Sequence, residues 1–310
     1  MRPGHSYNLL MPTQPKEPRR SEQQNAASKN LDRLSSLEIV TLMNREDRKV
    51  AVAVAKEIPG IARAADAIVN AIRSGGRLIY IGAGSSGRIG VLDAAECPPT
   101  FGVPPKLVQA LIAGGRRAVT SAVEGAEDST RNAERDLRAR KLTKRDVLVG
   151  ITASGTTPYV VRAIEYARGL GATTVAITSN RRAPVSRRAN IVIAPDVGPE
   201  VLTGSTRLKA GTSQKMVLNM LSTAAMVRLG HAYQNFMIDA LPTNKKVAGR
   251  ALRILQATTG KGLSVSEHAL RRAGHDMRVA LLMLKLGVDA RDAKHKLAAA
   301  KHDLRKALGE

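Results

Sequence analysis

Short continuous apolar runs alternate along the chain with longer stretches whose apolar positions recur every three or four residues. The runs lie at 78–81, 108–113, 147–151, 173–178 and 189–193, rich in Val, Ile and Leu. Runs of this length bounded by Gly, Pro or charge read as strands buried on both faces. Strands that alternate with helical patterns imply an α/β fold, a parallel sheet covered by helices. Ahead of the first strand, Leu37, Val40 and Leu42-Met43 begin one helical stripe. A second covers 50–58 and is expected to stop at Pro59, and a third, 61–73, ends at Gly75-Gly76. Between the strands, helices are expected from Arg88 to a close at Pro98-Pro99, over 128–140, and from Pro158 to near Gly171. A long helix should begin at Ser205, its stripe formed by Leu208, Thr212, Met216, Met220 and Ala224.

Pro242 and its neighbours break the pattern, and the rest of the chain is helical: 247–256, 266–272, 276–286 and an interrupted 290–308. Gly287 is placed to end one of these helices and Asp289 to cap the next. Residues 1–30 mix Pro, Gln, Asn, Ser and charge without periodicity and read as a disordered leader. The expected organisation is thus a leader over 1–30, N-terminal helices over 31–75, an α/β domain over 76–244 and a helical bundle over 245–310.

Composition narrows the function. A chain of 310 residues with 43% hydrophobic content has enough for a full core, yet aromatics are 2% and Trp is absent. The core must be aliphatic, and models that need stacked bases are disfavoured. The net charge of +23 invites an anionic partner, but the basic residues are dispersed. From Lys245 onward there are 15 Lys/Arg against 6 Asp/Glu, mostly on polar helix faces. This argues against a nucleic-acid role. One cysteine, Cys97, excludes an internal disulfide framework, and no apolar run reaches membrane-spanning length. A cytoplasmic protein without membrane association is expected.

Candidate chemistry gathers at two strand ends. The first strand runs into Gly82-Ala83-Gly84-Ser85-Ser86-Gly87, and the third into Thr152-Ala153-Ser154-Gly155-Thr156-Thr157. A glycine turn that opens a helix presents backbone N–H groups to an anion. The first turn also fits G-x-G-x-x-G, but its serines suit a compact phosphate ester better than a dinucleotide. No acidic residue ends the next strand for a ribose. A third segment, Glu200 to Arg207, places hydroxyls and a cation before the long helix. No metal spacing or Ser/His/Asp triad is present, so no metal site is expected. The carboxylates left for acid–base work are Glu96 before the two prolines and the Glu124-Gly125-Ala126-Glu127-Asp128 cluster. From spacing alone they are equally well read as helix caps and surface charge.

The blocks YIGAGSSGRIGVLDAAECPPTFG, AVEGAEDS, ITASGTTPYV and GPEVLTGSTRLKAGTSQKMVLNMLST resemble the N-acetylmuramic acid 6-phosphate etherase family, in order and over the chain from about Leu31. The resemblance implies the sugar-isomerase (SIS) fold, a five-stranded parallel sheet between helices with a small ubiquitin-associated-like bundle at the end. It implies release of D-lactate from a phosphosugar without metal or nucleotide cofactor, and a homodimer with sites near its interface. Carried over by motif, Glu96 is the proton donor and Glu127 the second acid/base group. Ser85, Ser86, Ser154, Gly155 and Thr157 hold phosphate, and Glu200, Ser205 and Thr206 complete the sugar pocket. Two positions depart from the family: Ser85 stands where Thr is usual, and Thr156 where Arg is more frequent. The main competitor is a non-catalytic phosphosugar sensor of the same fold, of the glucokinase regulatory protein kind. Retention of Glu96 and Glu127 favours the enzyme. An aldose–ketose isomerase lacks the ECPPTFG and EGAEDS blocks, and a DNA-binding regulator would need a helix-turn-helix that residues 35–75 do not show.

Overall fold

A computed structural model describes residues 22–239, 245–301 and 303–310. Helices α1 (Ser36–Ala55) and α2 (Ile58–Arg73) precede β1 (Leu78–Gly82). There follow α3 (Gly84–Phe101), β2 (Val108–Ile112), α4 (Arg117–Thr120), α5 (Thr130–Ala139), β3 (Val147–Ile151), α6 (Pro158–Gly169), β4 (Thr173–Ile177), α7 (Pro184–Arg188), β5 (Ile191–Ile193) and the long α8 (Lys209–Arg228). An antiparallel ribbon, β6 (Ala232–Tyr233) and β7 (Phe236–Met237), leads to α9 (Lys245–Thr259), α10 (Leu263–Arg272), α11 (Met277–Leu286), α12 (Ala290–Ala299) and α13 (Leu304–Leu308).

The first five strands form one parallel sheet in the order β2-β1-β3-β4-β5. Strand alternation splits the core into two layers. Leu78, Tyr80, Val147 and Val149 face α1, α2, α3 and α8. Ile79, Ile81, Leu148 and Ala176 face α5, α6 and α7. The C-terminal helices have a core of their own, into which Tyr233 and Ile238 of the ribbon segment are packed. Gly287 adopts φ 65° and caps α11, while Asp289 caps α12 by accepting from Asp292 N. Among the described residues no helix is long and apolar enough to cross a membrane.

Several expectations change. Pro59 does not stop a helix; it sits in the first turn of α2, where its missing N–H has no intrahelical partner to lose. Leu37 and Val40 are exposed, and α1 instead buries Leu42, Glu46, Val50, Ala53 and Val54. Pro98 and Pro99 do not close α3, which runs on to Phe101 and is capped by Gly102 at φ 65°. Two ladder bonds are forgone there, and burial of Cys97 and Phe101 holds the last turn in place. Finally, α8 starts at Lys209, and its buried face runs through Ala210, Gln214, Val217, Leu221 and Ala225. The stripe expected through Thr212, Met220 and Ala224 faces outward. Of the expected leader, residues 1–21 lie outside the described residues. Asn25 is buried and donates to Glu46 Oε2 at 3.0 Å and to the Pro199 carbonyl at 3.1 Å.

Candidate active site

Strand order places the site. With β1 at a point where the chain winds first to β2 and later to β3, the crevice beyond the β1 and β3 ends is the switch point where ligands bind in open α/β sheets. Gly82 and Ile151, the last residues of these neighbouring strands, are partners in register. The two hydroxyl loops therefore emerge side by side, about one strand spacing (~4.8 Å) apart.

The first loop passes at once into α3, with Ser85 and Ser86 in its opening turn. The N–H groups of that turn lack intrahelical partners, and the Ser85 and Ser86 hydroxyls make no hydrogen bond among the described residues. Gly87 is required by close approach: a Cβ there would meet Ile112 Cγ1 at 2.6 Å and Gly82 O at 2.9 Å. Its absence lets α3 start directly on the strand ends.

The second loop is organised by Thr152, a residue not singled out from sequence. Its buried Oγ1 lies 2.9 Å from Thr157 Oγ1 and 3.4 Å from Ser154 Oγ, and accepts from Gly155 N at 3.2 Å. Thr156 donates through N and Oγ1 to Ser154 Oγ at 3.2 and 3.1 Å. Gly155 has φ 74°, and a Cβ there would lie 2.2 Å from Ala183 Cβ. Only glycine satisfies both constraints. The signal that would have found Thr152 is its place as the first hydroxyl after the strand.

The third segment differs from its expected form. Both oxygens of the buried Glu200 carboxylate are taken by α8, accepting from Lys209 N at 3.0 Å and Ala210 N at 2.9 Å. The anion at that helix N-terminus is the protein's own. Burial pushes the Glu200 carboxyl up despite these bonds. Ser205 and Thr206 lie in the preceding turn, and Thr206 borders a small cavity with Ser179, Asp196, Gly198 and Glu200. Ser179 N donates to Ala153 O at 3.0 Å, which ties this side to the second loop.

The acidic cluster opens onto the first loop. A pocket of about 200 Å³ is lined by Ala83, Gly84, Arg88, Glu124 and Glu127, among others. Ser129, not an acidic residue, caps α5 by accepting from Asn132 N at 3.3 Å. The carboxylates of the cluster are thus not used as that cap. Glu127 sits exposed on a single 3-10 turn, Ala126–Asp128, entered through Gly125 at φ 69°. Arg88 holds this loop, donating from Nε to Val119 O at 3.0 Å and from Nη2 to Ser121 O at 3.1 Å.

Glu96 is not among the residues that line this pocket. It lies on the exposed side of α3, ten residues past Ser86 and so ~15 Å along the helix at 1.5 Å per residue. Beneath it, Asp93 is buried and accepts from Tyr80 Oη at 2.8 Å, Asn219 Nδ2 at 2.7 Å and Ser222 Oγ at 3.1 Å. This knot locks α3 to β1 and α8. No cluster of three or more His, Cys, Asp or Glu suited to a metal occurs among the described residues. A larger cleft, about 970 Å³, lies between the end of α8 and α13. Among the described residues Asp303 is the only carboxylate that lines it.

Family models match the glucokinase regulatory protein N-terminal SIS domain over residues 60–168 and the SIS domain over residues 127–224. The N-acetylmuramic acid 6-phosphate etherase of Serratia proteamaculans is 52% identical over 93% of this chain and 97% of its own. That of Salmonella agona is 53% identical with the same coverage. A phosphoheptose isomerase from Francisella tularensis has the same fold, with a TM-score of 0.52 and 22% identity, over 63% of this chain and 100% of its own.

Proposed function

From the premise that the chain belongs to the N-acetylmuramic acid 6-phosphate etherase family, we propose how its geometry serves an enzyme acting on that phosphosugar. The reaction is elimination followed by hydration, a carbon–oxygen lyase step, giving N-acetylglucosamine 6-phosphate and D-lactate. It serves reuse of cell-wall amino sugars in the cytoplasm. The observation that carries this reading is the register of Gly82 with Ile151, which sets two hydroxyl loops beside an acidic pocket.

Phosphate is held by Ser85, Ser86, Ser154 and Thr157 through hydroxyls and the N–H groups at the start of α3, and Gly155, whose own N–H is taken by Thr152 Oγ1, supplies the φ 74° turn that shapes the second loop around it. Ser205 and Thr206 border the sugar, and Glu200 fixes the start of α8 beside them. With the sugar in its open form, the proton at C2 is acidified by the C1 aldehyde. Glu127 removes it, the C3–O bond breaks, and Glu96 protonates the departing lactate oxygen. Water then adds at C3 of the unsaturated aldehyde and a proton returns to C2.

The distance between Glu96 and the loops is accounted for by a homodimer in which a second copy presents its Glu96 to this pocket. α3 carries exposed Leu92 beside Glu96, and α8 exposes Met220 and Val227. Exposed apolar side chains on two helices of this kind suit an interface.

The test is incubation with the phosphosugar in water labelled with heavy oxygen. Lactate release with label at C3 of the product is expected. Tight binding without lactate release would instead favour a phosphosugar sensor.

A further inference from the structure

Arg88 has more to do than clamp a loop. Among the described residues it is the only Arg or Lys lining the pocket that holds Glu124 and Glu127. Its Nε and Nη2 are fixed by the carbonyls of Val119 and Ser121, which sets the plane of the guanidinium. No hydrogen bond from Nη1 is formed among the described residues, and no carboxylate there lies within ion-pair distance of the group. A guanidinium pinned along one edge keeps its remaining donors in a preset fork, suited to a carboxylate.

The anions of the substrate assigned above number two, a phosphate and a lactyl carboxylate. The phosphate is matched by hydroxyls and backbone N–H groups in loops whose residues, 82–87 and 152–157, include no cation. The carboxylate needs a cation, the more so in a pocket walled by Glu124 and Glu127. We infer that Arg88 recognises the lactyl carboxylate and so selects the ether substituent. This rests on the phosphosugar etherase reading.

Two substrates separate recognition from loop clamping: N-acetylmuramic acid 6-phosphate and its 3-O-ethyl analogue, which lacks only the carboxylate. Wild-type protein is expected to prefer the former in kcat/KM on the order of a hundredfold. In Arg88→Gln that preference should collapse toward one, whatever the absolute rates. Arg88→Lys, which keeps charge but not the fork, should fall between. A defect in loop position lowers both substrates together and leaves the ratio intact. A ratio unchanged in both variants, or a wild-type ratio near one, overturns the inference. Wild-type protein that turns over neither compound would instead remove the etherase reading itself.

Discussion

Lys209 Nζ lies 2.8 Å from Glu46 Oε2, with the side chains 1% and 3% exposed, so the start of α8 is tied to the middle of α1 by a buried ion pair. Burial alone would push the Glu46 carboxyl up. Hydrogen bonds from Lys209, Lys49 and Asn25 outweigh that and hold it at about 2. A carboxylate with a folded pKa below its unfolded one stabilises the protein fully above the unfolded value, near 4.5. That contribution is lost as pH falls toward about 2. The expected loss across this window is a few kcal/mol, at ~1.4 kcal/mol per unit. Denaturant melts at stepped pH should show Glu46→Gln with a flatter acid limb than wild type. Lys209→Met, which strands a buried charge, should cost ~3–5 kcal/mol at pH 7, and the paired Glu46→Leu, Lys209→Met variant should recover much of it. An acid limb identical in wild type and Glu46→Gln would count against the pair.

The fold was largely legible in the sequence because its strands are continuous apolar runs at depth. The runs at 78–81 and 147–151 are β1 and β3 to within a residue. What stayed hidden is what depends on tertiary partners. Glu46 looks like one charge among many on an amphipathic helix, and only the approach of Lys209 explains its burial. Periodicity gave α8 a face, yet rotated, since Thr212 and Met220 keep nearly the same period as the buried Gln214 and Val217. Prolines misled for a related reason. Pro59 opens α2 and Pro98 lies within α3 because neighbouring side chains, not the proline, decide where the backbone turns. The loop hydroxyls could be read as phosphate ligands. Thr152, which organises them from below, bears no mark in sequence beyond its place at the strand end.

The second loop should depend on Thr152 more than on any single residue that faces the ligand. Thr152→Val keeps the shape and removes the hydroxyl that accepts from Gly155 N and meets Thr157 Oγ1. Leaving a buried N–H unpaired costs ~1–3 kcal/mol. If the loop is a phosphate cradle, that cost falls on binding, and KM for the phosphosugar should rise about tenfold or more with a smaller change in kcat. Calorimetric titration with the product phosphosugar should weaken in parallel. Wild-type affinity in the variant would mean that the hydroxyl network is only structural.

Cys97 should be inert in the folded protein. It is buried in α3, with its thiol donating to Asp93 O at 3.3 Å. Burial first, and then the nearby Asp93 and Glu96 charges, push its pKa up to about 12. At pH 8 almost no thiolate is present, and the nucleophile is the thiolate. A disulfide reagent at pH 8 should therefore label Cys97 only as fast as the protein opens, with a rate that climbs in step with denaturant. Rapid labelling of native protein would show that the end of α3 is looser than its burial implies.

The absence of Glu96 from the pocket that Glu127 lines makes a sharper prediction than either substitution alone. Glu96→Gln and Glu127→Gln should each abolish lactate release as pure proteins. If a working site takes Glu127 from one chain and Glu96 from its dimer partner, the two variants complement each other. Mixed and allowed to exchange subunits in equal amounts, about half of the dimers are hybrid, and each hybrid has one site with both carboxylates. About a quarter of wild-type activity should return. If both carboxylates serve the same site from one chain, every site in the mixture lacks one of them and nothing returns. Sedimentation of the mixture, with one variant carrying a dye, reports whether hybrids have formed. Hybrids that form without activity would place Glu96 outside the site or assign both carboxylates to one chain. In the second case the exposed face of α3 would have to reach its own pocket by a rearrangement of the β1–α3 junction, which the close seat of Gly87 against Gly82 opposes.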